Sequence, residues 1–250
     1  MTPHEGYGLP PDASVHGHLI DDLIHYTLGA VVLIFVVVLA AMVWTFIRHR
    51  GAHQAHYSHG SRRSIGVLVG AIAIIAVAVD GHLFARTLHD MGEVFWNFAG
   101  VDRDPRTVRI EVSAHQWAWL ARYPGPDGQF ASADDVVTLN DIRVPVGTPV
   151  LIQLASTDVI HSFSLANFRV KQDAVPGMIN AITFEARLPG EYEIACAQHC
   201  GPNHYKMRAV LSVLSAEDYA EWLAKATADA RRGYDPDDKD AQWGWSWRQF

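Results

Sequence analysis

Hydrophobic and polar positions divide the chain into two unlike parts. Residues 23–47 are 25 consecutive positions without Asp, Glu, Lys or Arg, and their centre, GAVVLIFVVVLAAMVWTF, is apolar throughout. As a helix this run is about 37 Å long, more than the roughly 30 Å hydrocarbon core of a bilayer. No face of it is polar, which argues against a core helix of a soluble protein. A second apolar run, SIGVLVGAIAIIAVAV, covers residues 64–79, and HLFA beyond Asp80 brings it to span length at 85. An acid deep in a membrane is costly, so Asp80 belongs near the end of that span. The pattern predicts a transmembrane hairpin over residues 23–85, with helices at about 23–47 and 64–85 and an outer segment, 1–22, before it.

After residue 85 the period shortens. TVRIEVSA (107–114) alternates apolar and polar residues, as a half-buried strand does. VVTLNDIRVPVG (136–147), TPVLIQLAST (148–157), INAITFEAR (179–187), LPGEYEIAC (188–196) and MRAVLSVLS (207–215) follow, separated by Pro and Gly. Short strands with turn signals at this spacing predict an all-β sandwich or barrel over 86–215. YPGPDG (123–128) reads as a turn. Residues 216–250 hold a helix to about Arg232, with Ser215 as N-cap and Gly233 as its stop, and then an irregular tail with three tryptophans. Those tryptophans suit packing on the chain's own domain as well as a partner or a membrane surface. The chain shows no internal repeat.

Charge adds orientation. The loop RHRGAHQAHYSHGSRR carries four arginines and no acid, whereas residues 1–22 carry four acids and no Lys or Arg. Positive-inside reasoning puts the loop in the cytoplasm and both termini on the other side. The acids before residue 23 and the length of the run do not fit a secretory signal peptide. The loop histidines 49, 53, 56 and 59 read as a solvated polar loop. Residues 86–250 hold 16 Lys and Arg against 22 Asp and Glu, a balance that argues against nucleic acid as a partner.

The candidate chemistry lies in CAQHCGPNHYKM. It contains both cysteines of the chain, Cys196 and Cys200, with His204 and Met207 close behind. A disulfide across three residues is cramped and leaves His204 and Met207 unused. Zinc does not ordinarily take a thioether. A single blue-copper ion uses one cysteine, not two. Two thiolates can instead bridge two copper ions, given a second imidazole, and thiolate and thioether both suit copper. His89, His115, His161 and His199 are available, and the residues alone do not choose among them.

DVIHSF, KQDAVPG (171–177), HQWAW (115–119) and C-x3-C-x3-H-x2-M together resemble subunit II of the haem-copper cytochrome c oxidases. The likeness covers nearly the whole chain, hairpin included. It implies a cupredoxin-like sandwich with a binuclear CuA centre. His161 and His204 would be imidazole ligands, Cys196 and Cys200 the bridging thiolates, Met207 an axial thioether and the Gln198 carbonyl a weak ligand. Trp117 would be the surface aromatic where electrons enter. The implied partners are subunit I, subunit III and cytochrome c. The implied activity is transfer of electrons from cytochrome c to haem in subunit I, where O2 is reduced with proton pumping. Ala- and Val-rich helices favour a bacterial plasma membrane over a mitochondrial one, with the copper domain on the outer face.

The sequence departs from the family at several points. The family usually has Glu where Gln198 stands, and that Glu helps bind Mg2+ at the subunit I interface. Gln198 brings an amide without charge, so Mg2+ loses its carboxylate while the backbone carbonyl is unaffected. His199 replaces an aliphatic residue, Ala118 stands where Tyr is common, and Met178 where Arg is common. No C-x-x-C-H occurs, so no c-type haem is expected. A copper-containing subunit of a nitric oxide reductase, or a tethered copper carrier, would also carry this ligand set. A quinol oxidase subunit would share the scaffold without the ligands.

Overall fold

The structure, a computed structural model, describes residues 8–51, 54, 57, 59–237, 244, 245 and 247–250. It divides into two compact units, Leu19–Met91 and the remainder of the chain.

The first unit is helical. Helix α1 runs Gly17–His49, starting earlier than the apolar stretch alone predicts. The start is set by a cap: the Ser14 hydroxyl accepts from the Gly17 N–H at 2.7 Å, and Asp12 in turn accepts from Ser14 at 2.9 Å. The second helical run also exceeds the predicted 64–85. It is α2 (Arg62–Ile75), a π-helical turn (76–80) and α3 (Gly81–Asp90), and the chain continues past this unit as a second π-turn (91–95) and, after a break, α4 (Phe98–Arg103). Ser61 caps α2 by accepting from the Ser64 N–H at 3.1 Å. Both long helices are apolar enough to cross a membrane, and the windows that qualify them have no buried residues. The loop histidines 53 and 56 lie outside the described residues.

The second unit is a sandwich of two five-stranded sheets. In chain order the strands are β1 (Val108–His115), β2 (Ala118–Tyr123), β3 (Val136–Leu139), β4 (Asp141–Pro145), β5 (Pro149–Ser156), β6 (His161–Leu165), β7 (Val170–Ala174), β8 (Asn180–Glu185), β9 (Gly190–Cys196) and β10 (Arg208–Leu214). One sheet has the order β3-β2-β1-β5-β8, the other β4-β10-β9-β6-β7. Two pairings, β1 with β5 and β4 with β10, are parallel; the rest are antiparallel. The stretch 136–147, read as one strand, is two strands in different sheets. Asn140, at φ 55°, makes the corner between them, and its side chain accepts from the Trp119 N–H at 2.8 Å.

Alternation supplies the core. Ile110, Val112 and Ala114 from β1 meet Trp119, Ile142, Leu154, Phe163, Leu165, Ile194 and Leu211, all fully buried. The opposite face of β1 is not solvated, although its residues are polar. Glu111 is buried between its register partners Arg122 and Gln153. The C-terminal tail covers them: the Gln153 side chain donates to the Arg248 carbonyl at 2.6 Å and accepts from the Trp245 ring at 3.1 Å. Trp247 stacks on Phe130 with centroids 5.1 Å apart. Gly244, at φ 130°, passes so close to Arg122 that a Cβ would run into the guanidinium. Trp245 and Trp247 therefore pack on the chain's own domain, while Trp243 lies outside the described residues.

The last helix, α5 (Ala216–Gly233), has the predicted cap. The Ser215 hydroxyl accepts from the Asp218 N–H at 3.1 Å, and Glu217 and Asp218 complement the positive helix end. Ser215→Ala is expected to cost about 1 kcal/mol of stability, read as a lowered midpoint in thermal or denaturant unfolding.

Candidate metal centre

Three segments bring the site together at one end of the sandwich. His161 opens β6 and Cys196 closes β9. These strands are neighbours, with Phe163 opposite Cys196. Two further backbone bonds draw the next loop into the same ladder, from Ala197 N–H to the Ser162 carbonyl at 2.9 Å and from Cys196 N–H to the Met207 carbonyl at 3.1 Å. Cys200, His204 and Met207 lie on that loop, before β10.

The potential donor atoms converge. The two Sγ atoms are 3.7 Å apart and unbonded, so the cysteines are free thiols. His161 Nδ1 is 3.1 Å from Met207 Sδ and 4.0 Å from Cys196 Sγ. His204 Nδ1 is 3.6 Å from Cys200 Sγ, and the Gln198 carbonyl is 3.2 Å from Cys196 Sγ. His161, Cys196, Cys200 and Met207 are all buried. The residues alone left His161 and His115 equal; the geometry brings only His161 to the sulfurs. His199 is exposed, 5.5 Å ring to ring from His204.

Residues the sequence did not single out hold these donors in place. Asp158, three positions before His161, accepts from His161 Nε2 at 2.8 Å. Partial burial works to raise the Asp158 carboxyl, but hydrogen bonds from His161 and from the Val159 and Gln116 N–H groups outweigh it and hold it at about 2. An ionised Asp158 keeps the proton on Nε2 and leaves the Nδ1 lone pair facing the sulfurs. The D-x-x-H spacing was the available signal. Gln116 is the second such residue, donating from Nε2 to the Cys200 carbonyl at 2.8 Å. The half-buried Trp117 donates from its ring to the same carbonyl at 3.2 Å. Gly201 permits this approach, since at φ 118° a Cβ would lie 2.9 Å from Gln116 Nε2 and 3.3 Å from the Trp117 ring. The Cys200 thiol is pushed up to about 12 by burial and by the adjacent Cys196 sulfur. A metal binding here must therefore displace protons.

Two thiols, two imidazoles, a thioether and a carbonyl make a donor set that is half soft sulfur, and His161, Cys196 and Cys200 lie close enough together to hold a soft metal ion. The described residues combine two helices long and apolar enough to cross a membrane with a buried His/Cys cluster, at one end of a β sandwich, that could hold a metal ion. Residues 108–214, the first strand to the last, match the family model for the periplasmic domain of cytochrome c oxidase subunit II. An alternative cytochrome c oxidase subunit 2 of Bradyrhizobium diazoefficiens is 31% identical over 234 residues, covering 82% of this chain and 79% of the relative. A cytochrome c oxidase subunit 2 of Cereibacter sphaeroides is 28% identical, covering 88% and 80%. The crystal structure of the periplasmic domain of CoxB, subunit II of the Bradyrhizobium japonicum oxidase, is 27% identical with a TM-score of 0.44, covering 49% of this chain and 94% of that one. The chain belongs to the cytochrome c oxidase subunit II family, whose members are subunits of an oxidoreductase complex.

Proposed function

We propose that this chain is the electron-entry subunit of a respiratory terminal oxidase, with a binuclear CuA centre held by His161, Cys196, Gln198 (carbonyl), Cys200, His204 and Met207. The observation that carries the reading is the convergence of six donors of this kind, with the sulfurs 3.7 Å apart and an imidazole beside each. Copper held by these residues would supply a one-electron acceptor. The subunit takes electrons from cytochrome c at Trp117 and hands them to haem in subunit I, where O2 is reduced to water with proton pumping. Subunit III completes the assembly.

The chain's own residues account for the other requirements. Asp158 fixes the His161 tautomer, a carboxylate–histidine arrangement that also raises ligand basicity. Strands β6 and β9 hold His161 and Cys196 on a rigid ladder, which limits movement between redox states. Burial of both thiols keeps water from them. The hydrogen bond from Trp117 to the Cys200 carbonyl ties the surface ring directly to the ligand loop. The hairpin anchors the domain in a bacterial plasma membrane, with both termini outside.

Electron paramagnetic resonance of the copper-loaded protein tests the assignment. The expected spectrum is one unpaired electron shared by two copper nuclei. A single-copper pattern would remove the binuclear reading, and rapid loss of copper to a chelator would favour a carrier. Met207→Leu is expected to keep both coppers and raise the reduction potential, because a donor that favours the oxidised state is lost; redox titration reads the shift.

A further inference from the structure

The electron donor itself is constrained by the surface around Trp117. Three loops surround this end of the sandwich: 115–118, 156–160 and 197–207. Asp158 is the single carboxylate in them, and it is engaged by His161 and the Gln116 N–H. Acids on the flanking strands β7 and β9 are also partnered. Glu193 is 3.0 Å from Arg208, while Asp173 accepts from Ser162 at 2.6 Å and lies 3.8 Å from Lys171. Lys206 adds a positive charge, 5.4 Å above the Tyr205 ring. The rest of the exposed surface is uncharged: Gln116, Thr157, Gln198 and His199 are its polar members, and Tyr205 at 68%, Ile160 at 43% and Val159 at 37% are its large apolar ones.

The domain's negative charge lies elsewhere. Glu217, Asp218 and Glu221 follow the far end of β10, about 20 Å of strand from Met207. That is about two screening lengths at 0.1 M salt, so those acids steer little at Trp117.

We infer that the donor is a small c-type cytochrome whose haem edge is ringed by apolar, near-neutral residues, and that it docks on Val159, Ile160, Tyr205 and Trp117 by apolar contact. This rests on the electron-entry reading above. A lysine-ringed donor would find no acidic patch here. Charge complementarity sets association rate and its salt dependence, so an uncharged face gives a rate nearly independent of salt.

The test is stopped-flow reduction of the intact oxidase complex by one basic cytochrome c and by the same cytochrome with its lysines acetylated. The expected second-order constants change less than about threefold between roughly 10 and 300 mM salt, and acetylation does not lower them. A constant that falls by about tenfold or more with salt, or on acetylation, would overturn the inference. The double variant Val159→Ser/Tyr205→Ser is expected to lower the constant about tenfold, with the two-copper spectrum and reduction by a small mediator unchanged. An unchanged constant in that variant also overturns it. If neither cytochrome reduces a centre that a mediator does reduce, the donor assignment fails while the copper reading stands. If the two-copper spectrum is missing from the parent protein, the copper reading itself fails.

Discussion

Cys196→Ser is expected to abolish the two-copper spectrum and to lower oxidase turnover with cytochrome c by more than about two orders of magnitude. The bound follows from the 10- to 100-fold cost of losing even a residue that only supports a ligand. Serine is nearly the same size, so the sandwich should fold with a small stability change. Its oxygen, however, is hard and holds its proton far more tightly than sulfur, so it does not bridge two soft metals. Cys200→Ser should act in the same direction. Gln198→Ala supplies the contrast: it removes an exposed side chain and keeps the carbonyl, so the spectrum should survive. Copper content and paramagnetic resonance distinguish these outcomes. Retention of the two-copper pattern in Cys196→Ser would remove Cys196 from the ligand set.

Arg122→Met is expected to destabilise the sandwich by about 3–5 kcal/mol at pH 8, with the loss shrinking as the pH is lowered. Arg122 pairs with the buried Glu111 and with Asp135 at 3.5 Å, so two carboxylates share one guanidinium in a site covered by the tail. Glu111 Oε1 has no hydrogen-bond partner among the described residues. Burial pushes Glu111 up to about 7, against the pull of Arg122 and with added repulsion from Asp135. Burial raises Asp135 too. The parent protein therefore has a pH dependence of definite sign. Between about 4.5 and 7 the native state holds a proton that the unfolded chain has released, so stability falls as pH rises through that window and levels off above it. The full effect is at most about 3 kcal/mol. Thermal unfolding of the purified protein at pH 5.5 and 8.5 measures it. Glu111→Gln should remove most of the difference. An equal loss at both pH values in Arg122→Met would mean that the cluster does not titrate.

Glu111 also shows where periodicity misleads. In β1 it occupies a polar position of an alternating strand, the ordinary mark of a solvated face. Here that face is buried, because residues 244, 245 and 247–250 return across it from far along the chain. The partner of Glu111 across β2, Arg122, and the partner across β5, Gln153, become neighbours only through strand register. Nothing local in IEVSA, ARY or LIQLA signals this. Strands β2, β6 and β7 were harder to read than β1 for a related reason: each is short, and β6 and β7 have sequences, HSFSL and VKQDA, whose β character comes from pairing.

The metal site was more legible, since Cys196, Cys200, His204 and Met207 fall within twelve residues and their chemistry is unlike that of the rest of the chain. The partner histidine was not legible from the residues alone. Asp158 was legible only through its D-x-x-H spacing to His161, and Gln116 only as an ordinary polar residue.

The sequence by itself determined what depends on neighbouring residues: two span-length apolar helices, a strand-rich second half, the Ser215 cap and a soft donor set on one loop. The tertiary structure decided what depends on contacts across long separations. The β6–β9 pairing brings His161 to Cys196, Asp158 sets which ring nitrogen of His161 faces the sulfurs, and Gly201 lets Trp117 reach the Cys200 carbonyl. The physical reason is the same in each case. Composition and period report which groups are buried or exposed, whereas hydrogen-bond register and close packing decide which groups touch.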